Sequence, residues 1–193
     1  MRDLIVTENI TVDGVIDAAG GWFAPGGDDD DDQSDMLDAL REQAEAADAV
    51  LLGRVTFEDM RGYWPLQTDD TSGIADYLDN VNKYVVSTTL TEPNWAHTTV
   101  LQGPLVEGVQ ALKASPGTDI VTTGSMTLTT GLIAAGLVDE YRLFVYPVVI
   151  GRGHRLFADA TEVPALHLEE VRPFRSGIVL FRYRTTPRSI ARR

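Results

Sequence analysis

The 193-residue chain has no cysteine, which removes disulfides, thiolate metal ligands and cysteine nucleophiles together. Its three histidines, His97, His154 and His167, stand apart without metal-ligand spacing, so neither a metal site nor a histidine-based triad is expected. Long apolar runs are missing too: the longest stretches, such as 143–150, fall far below the roughly 20 residues of a membrane-spanning helix. No apolar segment with a small-residue cleavage site follows Met1, and the expected location is the cytoplasm. Cations are scarce where carboxylates abound. Residues 1–138 hold six Lys and Arg against 23 Asp and Glu, residues 139–193 hold ten against six, and the net charge is -13. Binding nucleic acid requires a basic face, so neither nucleic acid nor a membrane is an expected partner. Arg188, Arg192 and Arg193 belong to a short basic tail, 187–193, expected to be flexible.

What is present reads as one domain. With 44% hydrophobic residues the chain can bury one substantial core, and residues 1–186 are expected to form a single unit. Residues 3–12 predict a strand that Asp13-Gly14 breaks with turn chemistry. The run Asp28 to Asp32 suits a solvated loop better than a calcium site, whose ligands must be interleaved along a turning backbone. Ser34 suits the N-cap of a helix reaching about Ala47, and Ala49 to Leu52, ending at Gly53, suits a strand buried on both faces. Short helices are expected over 56–61 and 74–80, a buried strand at 83–87 and a weaker one at 98–101. Pro104 fits the first position of a further helix, closed by Pro116-Gly117. Ile120 to Thr122 predicts a strand, and Leu128, Leu132 and Ile133 the apolar stripe of a helix ending near Gly136. Strands at 140–149 and 178–185, with a weaker one at 165–171, finish the chain. This alternation predicts a three-layer α/β fold: a mostly parallel twisted sheet with helices on both faces and an antiparallel C-terminal edge.

In such sheets ligands bind beyond the carboxyl ends of the strands. Gly53-Arg54-Val55-Thr56 lies there: glycine admits a ligand to the backbone, Arg54 offers a bidentate phosphate fork and Thr56 a hydroxyl. Of the six cations before residue 139, Arg54 alone follows a strand end directly, although pairing with a nearby carboxylate is an equal alternative. Ser87-Thr88-Thr89 suits a second phosphate or simple turn closure. Thr123-Gly124-Ser125-Met126 would bring a diphosphate to the unpaired amides of a helix start. The working expectation is that the 53–56 and 123–125 turns meet in space and grip one diphosphate. Gly151-Arg152-Gly153 has no helix after it and is not a dinucleotide fingerprint; Gly151 and Gly153 line the substrate side of a cleft or form a turn. Trp22 and Phe23 would cover a flat heterocycle or serve as packing aromatics. Asp13 is the candidate for orienting substrate or relaying a proton, with an Asp-Gly turn as the alternative. Glu140 reads as structural.

Five segments, in order, carry a resemblance: residues 9–14 (NITVDG), 51–58 (LLGRVTFE), 85–90 (VVSTTL), 123–125 (TGS) and the block from Gly136 to Phe157 containing YPVVIGRG. Together they resemble the dihydrofolate reductase-like fold, specifically the reductase domain at the C-terminal end of bacterial bifunctional riboflavin-biosynthesis deaminase-reductases, here standing alone. The resemblance implies an NADPH-dependent oxidoreductase, working as a homodimer, on a small heterocycle such as 5-amino-6-(5-phosphoribosylamino)uracil or a pterin-like compound. It implies that Gly53, Arg54 and Thr56 contact the dinucleotide phosphates, that Ser87 and Thr88 sit near the 2'-phosphate, and that Gly124 and Ser125, with Met126 beside them, cradle the pyrophosphate. One common form of the second motif has Ser-Arg-Thr where Ser87-Thr88-Thr89 stands, and the missing cation removes an attraction for the 2'-phosphate. Asp35 and Asp38 begin the helix that supplies the acid in true dihydrofolate reductases. The homodimer contact is expected around 143–150. A non-catalytic dinucleotide-binding module, keeping the fold without a proton donor, is the competing reading.

Overall fold

Leu4 to Val6 direct apolar side chains to both faces of one strand, which suits only a position covered on both sides, and Leu4–Thr11 (β1) lies inside an eight-stranded sheet. The computed structural model describes residues 1–18, 21–23, 32–157, 163 and 165–186. Across the sheet the order is Thr98–Leu101 (β4), Asn82–Val86 (β3), Ala47–Gly53 (β2), Asp119–Thr122 (β5), β1, Glu140–Tyr146 (β6), Val179–Thr185 (β8) and Leu166–Pro173 (β7). The first six run parallel, and β8 is antiparallel to both β6 and β7. The helices are Ser34–Ala46 (α1), Arg54–Tyr63 (α2), Ile74–Asn80 (α3), Leu105–Ala114 (α4) and Met126–Ala134 (α5), with a 3-10 turn at Trp64–Leu66.

Strand alternation sorts the core into layers. On β2, Ala49 and Leu51 join Val109 and Leu112 of α4 and Leu128 and Leu132 of α5, while Val50 and Leu52 turn to Phe57 of α2 and Leu78 of α3. On that second side α1 lays Met36 and Ala39 against Phe144 and Leu180. The three-layer α/β architecture with an antiparallel C-terminal edge is therefore the observed one.

Several boundaries differ for local reasons. Ser34 is not the cap of α1 but its first residue, because Asp32 accepts hydrogen bonds from both its N–H (3.1 Å) and its hydroxyl (2.6 Å). α2 begins at Arg54 rather than Thr56, with extended Gly53 before it, and Pro104 sits just before α4 rather than in it. β6 stops at Tyr146, short of the expected 149, because Pro147 has no N–H to offer a ladder. α5 ends as expected: Gly136, at φ 64°, donates to Ile133, and Leu137 reaches back to Leu132. Asp28 to Asp31 and the tail 187–193 lie outside the described residues. Among the described residues no helix is long and apolar enough to cross a membrane, and no cluster of three His, Asp or Glu is suited to a metal ion.

Candidate active site

β2 and β5 are parallel neighbours, so the turns leaving their carboxyl ends emerge side by side. The Gly53 N–H donates to Ser125 Oγ at 3.0 Å. A Cβ on Gly53 would lie 3.6 Å from Ser125 Cβ, and one on Gly124 would lie 3.6 Å from Thr56 Cγ2, so the 53–56 and 123–126 turns are in contact. Gly124 has φ 63°, which favours glycine where the chain turns into α5. Neither α2 nor α5 has a side chain capping its first-turn amides. Two helix starts with such amides meet here at the carboxyl edge of a parallel sheet, where free amides can donate to an anion. Two of the expected donors are already engaged, however: Gly53 N–H on Ser125, and Gly124 N–H on the Glu8 carboxyl at 2.9 and 3.1 Å.

Beside this junction Arg54, Ser87, Thr88 and Thr89 line a recess of about 330 Å³ with Val86, Leu101 and Gly103. The Arg54 guanidinium rests on Glu58, one helical turn along, at 2.6 Å. Both side chains are partly exposed, so the pair is weak enough to exchange for a stronger anion. The Ser87 hydroxyl accepts the N–H groups of Thr89 and Leu90 and closes the turn; Thr88 is exposed.

On the other side of the junction opens a cleft of about 500 Å³, within the size range of small-molecule sites. Its floor is the carboxyl half of β1 (Thr7, Glu8, Asn9) with Val121, Thr123 and Gly124; α1, α3, Trp64 and Met126 contribute walls. Trp22 and Phe23 form a further wall with Tyr146, their ring centroids 5.3 and 5.9 Å from that of Tyr146 and both edge-on to it. The Trp22 indole N–H donates to the Asp17 carbonyl at 2.7 Å, fixing the ring.

Glu8 was not singled out from the sequence. The signal was a carboxylate in an apolar strand, but what surrounds it comes from Gly124, 116 positions away. It is 3% exposed, and burial pushes its carboxyl up to about 8 against the partial counter-pull of the Gly124 N–H. Glu8 therefore carries a proton at neutral pH.

Asp13, Gly151 and Gly153 gather elsewhere. Asp13 accepts the Thr11 hydroxyl (2.7 Å) and the N–H groups of Gly151 (2.8 Å) and Ile150 (3.3 Å), and these bonds hold its carboxyl down at about 2. Such a group has no proton to relay at neutral pH, and it anchors the 150–155 loop. Gly151 and Gly153 do not line the cleft: the N–H of Gly151 is spent on Asp13, and a Cβ on Gly153 would meet Val15 at 2.8 Å. Asp35 accepts the Arg175 N–H, and Asp38 pairs with Arg41 at 2.7 Å. The expected dimer contact at 143–150 is corrected in part, because β6 is interior to the sheet and Leu143 and Phe144 are buried; only the stretch beyond it, Val149 above all, is exposed.

The family model described as RibD C-terminal domain matches residues 2–180. The chain belongs to that family. It is 33% identical over 187 residues to the uncharacterized protein YyaP of Bacillus subtilis (strain 168), with 94% of each chain covered. A putative riboflavin biosynthesis protein from Shewanella sp. PV-4 shares the fold at TM-score 0.69 and 20% identity, over 96% of this chain and all of that one. A diaminohydroxyphosphoribosylaminopyrimidine deaminase/5-amino-6-(5-phosphoribosylamino)uracil reductase from Thermotoga maritima does so at TM-score 0.64 and 17% identity, over 96% of this chain and 57% of that larger one. Membership places the chain among riboflavin-pathway reductase domains.

Proposed function

We propose that this RibD C-terminal domain protein is a cytoplasmic, NADPH-dependent reductase of a small flat heterocycle. The observation that carries the reading is the contact between the 53–56 and 123–126 turns, which brings two helix starts to one point between a cationic recess and an aromatic-walled cleft. The diphosphate would sit on the first-turn amides of α2 and α5, the 2'-phosphate near Arg54, Ser87 and Thr88, and the nicotinamide toward Gly124 and the floor of β1. The dinucleotide supplies the hydride; the chain supplies orientation and a largely apolar cleft that excludes water. The substrate rings would lie against Trp22, Phe23 and Tyr146. Candidate substrates are 5-amino-6-(5-phosphoribosylamino)uracil and pterin-like compounds.

The test is NADPH titration by fluorescence, followed by oxidation assays with ribosylaminopyrimidines, pterins and flavins. NADPH bound but never oxidised across that panel would favour a non-catalytic dinucleotide-binding module. Arg54→Ala should weaken NADPH binding about tenfold or more, the loss of one or two charged hydrogen bonds, and weaken NADH binding less. Unchanged NADPH affinity would move the phosphate site elsewhere.

The family resemblance also implies a second copy of the chain, and the exposed apolar residues Leu166, Leu168 and Val171 of the edge strand β7, beside the stacked pair Phe181 and Tyr183, offer it a surface. Sedimentation should give twice the 21.1 kDa chain mass, and Leu168→Lys should return the protein to monomer.

A further inference from the structure

Apolar side chains converge on the main cleft from several elements, among them Met36, Leu37 and Leu40 of α1, Met60 of α2 and Ile74 of α3. A phosphate bound in it would need cationic or amide donors, and those at its wall are engaged. Arg41 is the one cation among the described lining residues. Its guanidinium donates to Asp38 at 2.7 Å and to the Thr71 and Ser72 carbonyls at 3.1 and 3.2 Å. Bonds to main-chain carbonyls, unlike the single surface pair of Arg54, hold it as a brace between α1 and the turn before α3. At that turn Asp70 accepts the N–H groups of Ser72 and Ala75, both at 2.9 Å, and the Ser72 hydroxyl accepts that of Ile74, so the start of α3 is occupied. At the start of α1 Asp32 holds the Ser34 N–H, and Arg175 is paired with Asp32 and Asp35. Asp17 adds a carboxyl group to the same wall. Residues 24–31, which join Phe23 to Asp32 in sequence, include four aspartates and no Lys, Arg or His.

What the floor offers instead is a side-chain amide. Thr7 and Asn9 share the face of β1 that is turned toward α1, with Val121 of β5 and with Phe144, the register partner of Asn9 on β6. Glu8, between them, turns to the other face, where Val6 and Ile10 pack with α4 and α5. The Asn9 side chain is partly buried at the cleft floor, and no hydrogen bond to a described residue uses it. An asparagine amide presents a carbonyl acceptor and an NH2 donor side by side. That is the complement of a lactam edge, in which a ring N–H stands next to a ring C=O. A small number of placed polar groups in an apolar cleft is how such sites orient a neutral ring, and Trp22, Phe23 and Tyr146 supply aromatic faces beside it.

We propose that the cleft selects an uncharged flat heterocycle that carries a lactam edge and no phosphate, seated with that edge on Asn9; that this ring is the substrate rests on the reductase reading. Of the two candidate substrate classes, the pterin-like compounds fit this description and 5-amino-6-(5-phosphoribosylamino)uracil does not. Its phosphate would give up water without gaining a free cation, and would meet carboxylates instead. The discrimination on the lactam side has a different source. A ring that lacks the oxygen and the neighbouring N–H leaves the Asn9 amide unpaired in an apolar cleft, and a site built to hydrogen-bond a ligand rejects the analogue that cannot do so.

Calorimetric titration with matched pairs tests this without turnover. 5-Amino-6-ribosylaminouracil should bind at least about threefold more tightly than its 5'-phosphate at low ionic strength, and the gap should narrow as salt screens the carboxylates. Equal or tighter binding of the phosphate ester overturns the proposal. Pterin should bind about tenfold to 100-fold more tightly than 2-aminopteridine, which lacks the ring oxygen and the N–H beside it. Asn9→Leu, close to asparagine in size, should bring that ratio below about threefold by weakening pterin alone, and the smaller Asn9→Ala should do the same. A ratio that survives both substitutions, or a loss that falls on NADPH in place of pterin, overturns the seat at Asn9. The reductase reading fails separately. Pterin held with the expected ratios by a protein that never oxidises NADPH bears out the lactam seat and overturns that reading, whereas NADPH oxidation with the phosphate ester as preferred acceptor keeps that reading and overturns the proposal.

Discussion

Glu140→Ala is expected to lower the unfolding free energy by about 3 to 5 kcal/mol, the cost of removing one partner from a buried ion pair. Glu140 is 1% exposed and accepts from Arg142 Nε at 2.7 Å and Arg182 Nε at 2.9 Å, with Arg184 at 3.4 Å. In the β6–β8 register Arg142 stands directly opposite Arg182, two like charges that only this carboxylate holds together. Without it, Arg142, 4% exposed and with one guanidinium nitrogen already unpartnered, keeps only Asp119, 3.9 Å away. Burial acts to raise the Glu140 pKa, but the hydrogen bonds and charges of Arg182 and Arg142 outweigh it and leave the carboxyl below its ordinary value. A lowered folded-state pKa means a contribution fully present above the ordinary glutamate pKa and lost as pH falls through the folded value. The difference between Glu140→Ala and wild type should therefore be large at neutral pH and shrink in acid. Calorimetry checks it: the loss corresponds to a drop in Tm of about 6 to 20 °C for a chain of this size.

The same network explains the sequence's oddest feature, a basic last third on an acidic protein. Arg142, Arg172, Arg175, Arg182 and Arg184 are all committed to carboxylates, among them Glu42, Asp3, Glu170 and Asp32. Composition alone names no partners for these residues; register brings Arg182 to Glu140 and Glu170 across the strands, and packing brings Arg172 and Arg175 to Glu42 and Asp32. Alternating strands and helices were legible because burial on both faces leaves continuous apolar runs such as Ala49 to Leu52, which need no knowledge of partners. The boundaries at Ser34 and Tyr146 depend on Asp32 and Pro147, whose local chemistry overrides the apolar pattern there.

The candidate site divides the same way. Glycine, arginine and hydroxyl residues after strand ends stood out because strand-to-helix turns have a recognisable composition, and β2–β5 pairing brings two of those turns together. Asp13 stood out for the same reason, yet its partners, Ile150 and Gly151, lie 137 and 138 positions away and make it an anchor for a loop. Trp64, Tyr77 and Tyr146 line the cleft without any sequence pattern to announce it, since each is an ordinary packing aromatic until the chain closes round the space. Glu8 hid for the opposite reason: one carboxylate among eight strand residues reads as a solvent-facing position, and only the register of β1 between β5 and β6 makes it central.

That burial has a measurable cost. With a folded-state pKa of about 8 against an ordinary 4.5, Glu8 binds its proton more tightly in the folded chain than in the unfolded one. The folded state therefore holds more protons between those two values, and stability falls as pH rises through the window. The full difference corresponds to about 5 kcal/mol at most, since one pKa unit is worth about 1.4 kcal/mol. Glu8→Gln has no proton to lose, so its stability relative to wild type should increase by about 4 kcal/mol between roughly pH 5 and pH 9, as read from urea unfolding at each pH. Glu140 and the other carboxyls of lowered pKa act at the acid end and appear in both proteins, so the difference isolates Glu8. Equal pH dependence in the two proteins would mean that Glu8 is solvated and ionised in the ordinary range. A glutamine would hold the Gly124 amide at no such cost, so the fold gains nothing from an acid at this position.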